Sequence, residues 1–366
     1  MTVIPLVAAL TVTSVASASS SRLVGRAGAL AVVVFVSLLV AGGVFTALVA
    51  PLSFAQLNLA TDAATALRAS VDAAAQTPAE MPGLMQRLVD VVPRNPVKSA
   101  VDGDVLPVVV FSIFLGLAAS KLAVDSREAF LAMFRAIVET MLTIVGWILR
   151  LAPLGVFALS LVLGLRVGVA SAGALLYYVV TLSAALFAFT IALYPVASIL
   201  GRVSPRRFFL AALPAQAVAF SVRSSLASLP AQVAGARDTL GLSATTTGFV
   251  LPLAVSVFRV NVPIAWVAGV LFLGKLYGVE IGSGQLAMLV VTATLLSFSV
   301  PGIPSASLFL LAPVLVQNGI PPEGVGILIA VDAIPDMFKT LANVTAHLTS
   351  ATILDTKVSS SSGVTE

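Results

Sequence analysis

The stretch GILIAVDAIPDMFKTLANVTAHLTSATIL, residues 326–354, decides the class of fold. It can cross a membrane, because about 20 apolar residues span the hydrocarbon core. At about 100° per helical residue, its polar positions form one stripe roughly 80° wide. They are Asp332, Asp336, Lys339, Asn343 and His347. Polar side chains are costly in lipid, so the stripe must face protein or water. It predicts a solute site, and the alternative is a structural ion-pair seam between helices.

The composition of the whole chain is that of a membrane protein. Of its 366 residues, 59% are hydrophobic and 10% charged, whereas about 25% are charged in an ordinary soluble domain. A mean hydropathy of +1.08 leaves too many apolar residues for one buried core. The apolar runs are continuous, which favours helices over a β-barrel. We therefore predict an all-α integral membrane protein, a multi-span bundle in the lipid bilayer of the cell membrane.

Residue counts exclude several classes of function. Cysteine is absent and His347 is the single histidine, so cysteine nucleophiles and thiolate or histidine-based metal sites are excluded. We expect neither an enzyme nor a resident metal or cofactor. The net charge is +4, but the basic residues are scattered between apolar runs. That arrangement excludes a nucleic-acid partner.

Nine stretches are apolar enough to span the membrane or nearly so. They lie at about 3–20, 26–50, 104–124, 130–165, 172–200, 205–235, 243–275, 285–318 and 322–354. The last four are interrupted by Pro, Gly, Ser and charge, which is typical of discontinuous helices that line a cavity. Residues 52–103 read as an external loop with a helical piece at 83–92, and the short basic loops are expected on the cytoplasmic side. The Ser-rich segment 355–366 predicts a disordered tail.

Two segments predict re-entrant hairpins. PAQAVAFSVRSSLASLP, residues 214–230, places Arg223 beside Ser224, Ser225 and Ser228 between two apolar arms. SFSVPGIPSAS, residues 297–307, contains two prolines and a glycine that prevent a continuous helix. The order hairpin, span, hairpin, span forms an inverted repeat, which is typical of secondary transporters.

The span between the hairpins carries a charge in its middle. FVLPLAVSVFRVNVPIAWVAGV, residues 249–270, places Arg259 and Asn261 between apolar halves. A mid-membrane Arg must be paired or hydrated, and an unwound point exposing carbonyl groups could solvate it. Arg259 is then either a direct binding residue or a counter-ion for Asp332 or Asp336.

Together these residues resemble the dicarboxylate/amino acid:cation symporter family, the sodium- or proton-coupled carriers of glutamate, aspartate and C4-dicarboxylates. The resemblance rests on SVRSSLASLP at 221–230, VLPL at 250–253, PGIPSAS at 301–307, VDAIPDMFKTLANVT at 331–345 and VVPRNPVKSAVDGDVLPVVVFSIFLGLA at 91–118. It implies a homotrimer in which an outer scaffold holds a domain that moves substrate like an elevator. Residues 1–168 would be mainly scaffold, apart from 24–50, and residues 169–354 the transport core with hairpins at about 205–235 and 285–318.

The resemblance also implies a first span that this sequence lacks. The opening MTVIPLVAALTVTSVASASS has an apolar core and a signal-like Ala16-Ser17-Ala18, but no positive charge before that core. The topology favours the other interpretation, a spanning helix whose beginning is missing. We expect a truncated or mis-assigned start.

The resemblance assigns roles to individual residues. Asp336 matches the carboxylate that receives an amino acid's ammonium, and Asn343 the amide that holds the main carboxylate. Lys339 stands where members that carry acidic substrates have an Arg, so it keeps the charge but loses the bidentate fork. The remaining substrate-binding positions implied are Arg223, Ser224, Ser225, Gly302, Pro304 and Thr340. The coupling or charge-compensating positions are Arg259, Asn261, Asp332 and His347.

The sequence departs from the family where the family binds sodium. The signature Asn-Met-Asp-Gly-Thr reads Phe258, Arg259, Val260, Asn261 and Val262 here, and a sodium-ligand Asp of the last span reads His347. Neither Arg nor His supplies the oxygen ligands that sodium needs. The hypothesis is that Arg259 and protonated His347 act as fixed charges in place of sodium, so that uptake is coupled to protons, with His347 as the carrier, or is uncoupled.

The charges of the site bear on the substrate. Arg223, Arg259 and Lys339 outnumber Asp332 and Asp336, which suits an anionic solute. We expect symport of an acidic amino acid or a C4-dicarboxylate, and a plain dicarboxylate is favoured if Arg259 neutralises Asp336. The alternative is a non-coupled or non-transporting member of the same scaffold, a receptor or an anion conductance.

Overall fold

The computed structural model describes residues 3–18, 22–57, 64–65, 67–68, 95–102, 105–141, 143–144, 147, 169–243, 246–300 and 305–361. Within these ranges every regular element is a helix. The all-α prediction is confirmed. The predicted helical piece at 83–92 lies outside the described residues, as does most of the predicted external loop. A short helix, Pro96–Asp102, lies near the end of that loop, where none was predicted.

Most described helices coincide with predicted spans, whereas most of the span predicted at 130–165 lies outside the described residues. In chain order they are α1 Val3–Ala18, α2 Arg22–Ala55, α3 Pro96–Asp102, α4 Val105–Ala119, α5 124–141, α6 Val169–Leu200, α7 Pro205–Val222, α8 Leu229–Ala234, α9 Leu251–Val257, α10 Asn261–Tyr277, α11 Ser283–Ser297, α12 Ala306–Phe309, α13 Leu311–Gln317, α14 Gly324–Val331 and α15 Ala333–Ser361. Short π-helical turns cover Gly235–Thr239 and Thr246–Val250.

Three described segments are long and apolar enough to cross a membrane: Gly28–Ala55, Ala172–Leu200 and Thr246–Tyr277. In the most apolar window of each segment, 39% of the residues are buried in the first and in the second, whereas 89% are buried in the third. The main apolar core joins α2, α6 and α10 to the last helix. The third segment therefore lies in the interior of the protein.

That inner segment is broken where the sequence predicted an unwound point. Helix α9 ends at Val257, and Phe258 takes an extended conformation before α10 begins at Asn261. The ring of Phe258 stacks on Phe35 with centroids 4.6 Å apart. The break leaves carbonyl groups at the end of α9 without helical partners, and they must be satisfied in the protein interior.

The first predicted hairpin forms from α7, a tight turn at 223–228 and α8. The hydroxyl of Ser204 caps the start of α7 by accepting from the Arg207 amide at 3.3 Å. The turn begins at Arg223, whose φ of 56° lies in the left-handed region. The two sides of the hairpin are in close contact at Gly235, where an added Cβ would lie 2.2 Å from the Ala211 carbonyl oxygen. Only glycine fits this contact.

The second predicted hairpin is partly described. Its arms are α11 on one side and α12 with α13 on the other. Pro301, Gly302, Pro304 and residue 303 of its tip lie outside the described residues, so the structure says nothing of Gly302 and Pro304. Ser305 lies at the end of the tip with a φ of 55°.

The disordered tail predicted from residue 355 is wrong for its first half. Helix α15 continues to Ser361. Its end is held because one oxygen of Asp355 accepts from the Ser243 amide at 3.0 Å and the Thr246 hydroxyl at 2.8 Å. The Thr356 hydroxyl donates to the Gly201 carbonyl at 3.0 Å. Composition alone could not reveal these tertiary bonds.

Candidate functional site

The polar stripe of the last span is buried in the protein. Helices α14 and α15 meet at Asp332, and the five polar residues of the stripe are each at most 5% exposed: Asp332, Asp336, Lys339, Asn343 and His347. The stripe faces the broken segment and both hairpins. The prediction that it faces protein rather than lipid is confirmed, and its two halves have different partners.

The half of the stripe near the start of α15 contains a buried ion pair. The ammonium of Lys339 donates to Oδ1 of Asp332, which lies seven residues earlier on the same stripe. Both side chains are almost completely buried. A charge in this environment requires such a partner, because desolvation of an unpaired ion costs several kcal/mol. Lys339 is therefore neutralised within the protein in this arrangement.

Ser305, at the end of the second hairpin tip, is bonded to the same half. Its hydroxyl donates to Oδ2 of Asp332 at 2.8 Å, and its backbone amide donates to Oδ1 of Asp336 at 3.3 Å. Both carboxylates of this half thus hold the tip. Sequence reasoning placed Ser305 in the matching motif without giving it a role.

Asp336 retains one unused oxygen. Its Oδ2 is buried and has no hydrogen-bond partner among the described residues, although Oδ1 is engaged by Ser305. The Thr340 hydroxyl donates to the Asp336 backbone carbonyl at 2.8 Å, one turn earlier on the helix. Arg223 and Lys339 both act electrostatically on Asp336. An unpaired buried carboxylate oxygen is an acceptor site suited to a cationic donor from a solute.

The other half of the stripe faces the helix break, where Arg259 is 2% exposed. Its guanidinium donates to the carbonyls of Phe258 at 3.2 Å and Ser256 at 3.5 Å. No carboxylate pairs with it among the described residues. The expectation that carbonyls at an unwound point solvate this Arg is met by the geometry, whereas a pairing with Asp332 or Asp336 is absent from the described part of the chain.

The hydroxyl of Ser297, at the end of α11, supports the same break. It donates to the Arg259 carbonyl at 3.0 Å, and it lies 3.3 Å from the Arg259 amide. Asn343 accepts from the Asn261 amide at 3.0 Å, which ties α15 to the start of α10. The side-chain oxygen of Asn261 is buried, and within the described ranges it has no hydrogen-bond partner.

His347 is fully buried and bridges two elements. Its Nε2 lies 2.8 Å from the Phe258 carbonyl oxygen, and its Nδ1 lies 3.2 Å from Oε1 of Gln232 on α8. The Phe258 carbonyl is therefore contacted by both Arg259 and His347. The oxygen that the break exposes is occupied by donors of the protein itself.

The first hairpin tip presents hydroxyl groups in a tight turn. Ser224 is half-buried, and its hydroxyl accepts from the Ala227 amide at 3.3 Å. Ser225 is buried, and its carbonyl accepts from the Ser228 hydroxyl at 2.8 Å. Leu226 points outward and is 45% exposed. Arg223 and Ser224 are the polar residues of this turn that remain partly accessible.

Two residues of the site were missed by sequence reasoning. Gln232 contacts His347 directly, and Ser297 holds both backbone groups of Arg259. A buried Gln four residues after the end of a Ser-rich turn carries no spacing signal by itself. Ser297 was quoted as the first residue of the second tip motif, but its contact with a helix break 38 residues away is tertiary.

Within the described residues, no three His, Cys, Asp or Glu side chains come together in a way that could hold a metal ion. Sodium, as a co-transported ion, would be a substrate rather than a resident cofactor. The oxygens that could bind sodium at the helix break include backbone carbonyls. One of them, the Phe258 carbonyl, already contacts the Arg259 guanidinium and Nε2 of His347. Among the predicted positions, Val260 is apolar and fully buried, and it offers no side-chain oxygen.

Residues 1–357 match the sodium:dicarboxylate symporter family. The chain belongs to that family. It is 30% identical over 265 residues to the proton/glutamate-aspartate symporter of Escherichia coli (strain K12), covering 72% of this chain and 60% of that protein. It is 26% identical over 357 residues to the proton/sodium-glutamate symport protein of Bacillus caldotenax, covering 97% of this chain and 84% of the relative. It is also 27% identical over 274 residues to the human neutral amino acid transporter A, covering 71% and 49%.

The sodium:dicarboxylate symporter family consists of membrane transporters rather than enzymes, which confirms the predicted class, the predicted fold and the cell-membrane location. The relatives' names describe carriers of acidic and of neutral amino acids.

Proposed function

We propose that this chain is a secondary transporter of acidic amino acids in which Arg259 and His347 take the place of bound sodium as fixed charges. The observation that carries the proposal is the occupation of the Phe258 carbonyl. Arg259 and His347 both contact that oxygen at the helix break, at 3.2 and 2.8 Å. A hard cation needs several oxygen ligands with free lone pairs. An N–H donor on that oxygen competes directly with a cation.

The charge of Arg259 supports the same proposal. A bound sodium ion would contribute one positive charge to the buried helix break. Arg259 already supplies that charge, and no carboxylate of the described residues neutralises it. Adding sodium beside it would place two like charges in a low-dielectric interior, where repulsion is strong.

The geometry around Asp336 favours an amino acid over a plain dicarboxylate. The condition that would have favoured a plain dicarboxylate, neutralisation of Asp336 by Arg259, is not met, because Arg259 is bonded to backbone carbonyls. The free Oδ2 of Asp336 instead offers an acceptor for an ammonium group. Arg223, Ser224 and Asn343 are the residues proposed to hold the carboxylates, together with Ser225, Gly302 and Pro304 of the two tips.

Lys339 has a conditional role in this proposal. Its pairing with Asp332 neutralises it in the present arrangement. For Lys339 to bind a side-chain carboxylate, its ammonium must leave Asp332 or share its hydrogen atoms with the ligand. The side-chain carboxylate of aspartate, or the second carboxylate of succinate, therefore competes with Asp332 for Lys339. This competition lowers the affinity for dianions without abolishing it.

We further propose the assembly and domain division that the family resemblance implies: a homotrimer, with residues 169–354 and 24–50 as the moving domain. The packing of α2 against α10, α11 and α15 supports the inclusion of 24–50. Cross-linking or native mass spectrometry of the full chain in lipid would measure the number of subunits. A monomer would contradict this part of the proposal.

The experiment is uptake of labelled aspartate and succinate into proteoliposomes containing the full chain, with sodium gradients, proton gradients or neither. We expect aspartate to accumulate with a proton gradient and to be unaffected by sodium, and succinate to be taken up more slowly. Strong stimulation by sodium would contradict the proposal. Substrate-evoked current without accumulation would favour a receptor or anion conductance instead. Protein-free liposomes are the control.

A further inference from the structure

The side chain of Gln232 has a fully determined hydrogen-bond pattern. Its amide nitrogen donates to the Ser225 carbonyl at 3.3 Å and to the Ser228 hydroxyl at 3.0 Å. Both amide hydrogens are therefore used. Its Oε1 is the atom that faces Nδ1 of His347, at 3.2 Å. An amide oxygen can only accept.

The opposite orientation of this amide is disfavoured by its neighbours. Exchanging the amide nitrogen and oxygen would place Oε1 at the position 3.3 Å from the Ser225 carbonyl oxygen, where neither atom carries a hydrogen. The Ser228 hydroxyl already donates to that carbonyl at 2.8 Å, so it would have to turn away to satisfy Oε1. The tip of the first hairpin and the orientation of Gln232 therefore depend on each other.

The hydrogen-bond partners of His347 show which hydrogens its ring needs. The Phe258 carbonyl accepts from Nε2 at 2.8 Å, and Gln232 Oε1 accepts from Nδ1. With an acceptor on each side, the ring forms both hydrogen bonds only when both of its nitrogens carry a hydrogen, which is the imidazolium form. A neutral ring that keeps Nε2–H on Phe258 has a bare Nδ1, and it needs a donor where Oε1 now lies.

We infer that Gln232 is a positioning residue that transmits the protonation of His347 to the turn Ser225–Ser228 of the first hairpin. When His347 is doubly protonated, Gln232 accepts from it and its amide holds the Ser225 carbonyl and the Ser228 hydroxyl. When the ring loses the Nδ1 proton, the amide turns to donate to Nδ1, and the Ser225 carbonyl loses that contact. The tip that presents Arg223 and Ser224 is then held less tightly.

The charges around His347 make the proton easy to release. The charged side chain that acts on the ring from the elements packed against it, within the described residues, is Arg259. The partner from α8 is the neutral Gln232, and the nearest acidic residue of its own stripe, Asp336, lies 11 residues earlier on the helix. Gln232 and the Phe258 carbonyl thus hold the proton against Arg259. This inference rests on the proposed role of His347 as the proton carrier.

The chain offers a direct spectroscopic readout, because His347 is its single histidine. Full-length protein without a histidine tag, labelled with ¹⁵N-histidine in lipid nanodiscs, gives one pair of ring nitrogen signals. Because burial beside Arg259 opposes the charged ring, we expect both nitrogens to be protonated only at the acidic end of the range from about pH 4 to 8, and Nδ1 to lose its hydrogen toward the basic end. A ring that keeps one state over this range would overturn the inference.

Two substitutions test the role of Gln232. In Gln232→Met the acceptor for Nδ1–H is removed, so we expect the imidazolium to require more acidic conditions than in the wild type. In Gln232→Glu an anionic acceptor replaces it, so we expect the imidazolium to persist to more basic conditions. The Glu variant keeps the size of the side chain and serves if the Met variant fails to fold. Unchanged His347 titration in the folded variants overturns the inference.

Hydrogen exchange of the Ser225–Ser228 amides tests the transmission itself. We expect their opening to depend on pH, beyond the intrinsic exchange rate, in the wild type and to lose that dependence in Gln232→Met. The matched control is Gln216→Met on the other arm of the same hairpin. Gln216 is also buried and donates to the Thr345 hydroxyl of α15 at 2.8 Å and to Tyr194 at 2.9 Å, but it does not contact His347.

We expect Gln216→Met to leave both the His347 titration and the pH dependence of the turn unchanged. If Gln216→Met alters them as much as Gln232→Met, the coupling is a general effect of packing and the inference is wrong. None of these measurements requires transport. Sodium-dependent uptake with an unchanged Gln232 effect would therefore contradict the proposed function alone.

Discussion

The two halves of the polar stripe on α15 satisfy buried charge in opposite ways. Near the start of the helix, Lys339 and Asp332 neutralise each other and Ser305 donates to both local carboxylates. Near its middle, Arg259 and His347 face backbone carbonyls and an amide oxygen rather than a carboxylate. The first half retains an unused carboxylate oxygen, whereas the second carries an excess positive charge. The first half can therefore accept the ammonium of a ligand, whereas the second already contains the positive charge of Arg259.

The largest effect is expected from breaking the ion pair of the first half. Lys339→Met leaves the buried Asp332 unpaired, which costs about 3–5 kcal/mol when one partner of such a pair is removed. Thermal unfolding in detergent measures it. The double variant Asp332→Leu with Lys339→Met removes both charges and should recover most of the loss. The exposed pair Arg237 and Asp238 provides the control, since Arg237→Met should not change stability measurably. A single variant as stable as the wild type would show that the pair is not held in the folded protein.

The next largest effect concerns the unused oxygen of Asp336. Asp336→Asn removes the negative charge that would accept an ammonium, and a charge-assisted hydrogen bond contributes about 1.5–3 kcal/mol. Aspartate affinity should fall by about 10- to 100-fold, while succinate, which has no ammonium, should bind equally well or better. Isothermal titration with both ligands measures the difference. The exposed Asp238→Asn is the matched control. An equal loss for aspartate and succinate would rule out recognition of the ammonium.

The smallest effects are expected from replacing two serines, one of which is bonded to each half of the site. Ser305→Ala removes a hydroxyl that donates to the Asp332 carboxylate, and Ser297→Ala removes one that donates to the Arg259 carbonyl. Neutral hydrogen bonds contribute about 1 kcal/mol and bonds to charged groups about twice that. Ser305→Ala should therefore lower substrate affinity more, and Ser297→Ala should act mainly on thermal stability. The reverse order would mean that the tip is not held through Asp332.

Much of the fold followed from the sequence because its signals are local. The apolar runs predicted α1, α2, α4 and α6, and Pro, Gly and charge predicted the break at Arg259. The end of α15 was not predicted, because Ser-rich composition says nothing of the bonds that Asp355 and Thr356 make to distant segments.

The candidate site was predictable as a set of residues but not as a set of contacts. The helical stripe named all five polar positions of the last span. The pairing of Lys339 with Asp332, rather than with a ligand, depends on side-chain conformations that spacing cannot fix. The contact of Gln232 with His347 joins residues 115 positions apart, and a single sequence carries no signal for such a pair.

The central claim, that Arg259 and His347 replace sodium, is tested most directly by the affinity for aspartate with and without sodium. Titration calorimetry of the full chain should give the same Kd in sodium and in an organic-cation buffer. The matched variant combines Arg259→Met, Val260→Asp and His347→Asp, which returns side-chain oxygens and removes the fixed charges. Its aspartate affinity should become sodium-dependent. Sodium-dependent binding in the wild type, at least ten-fold tighter with sodium, would contradict the account.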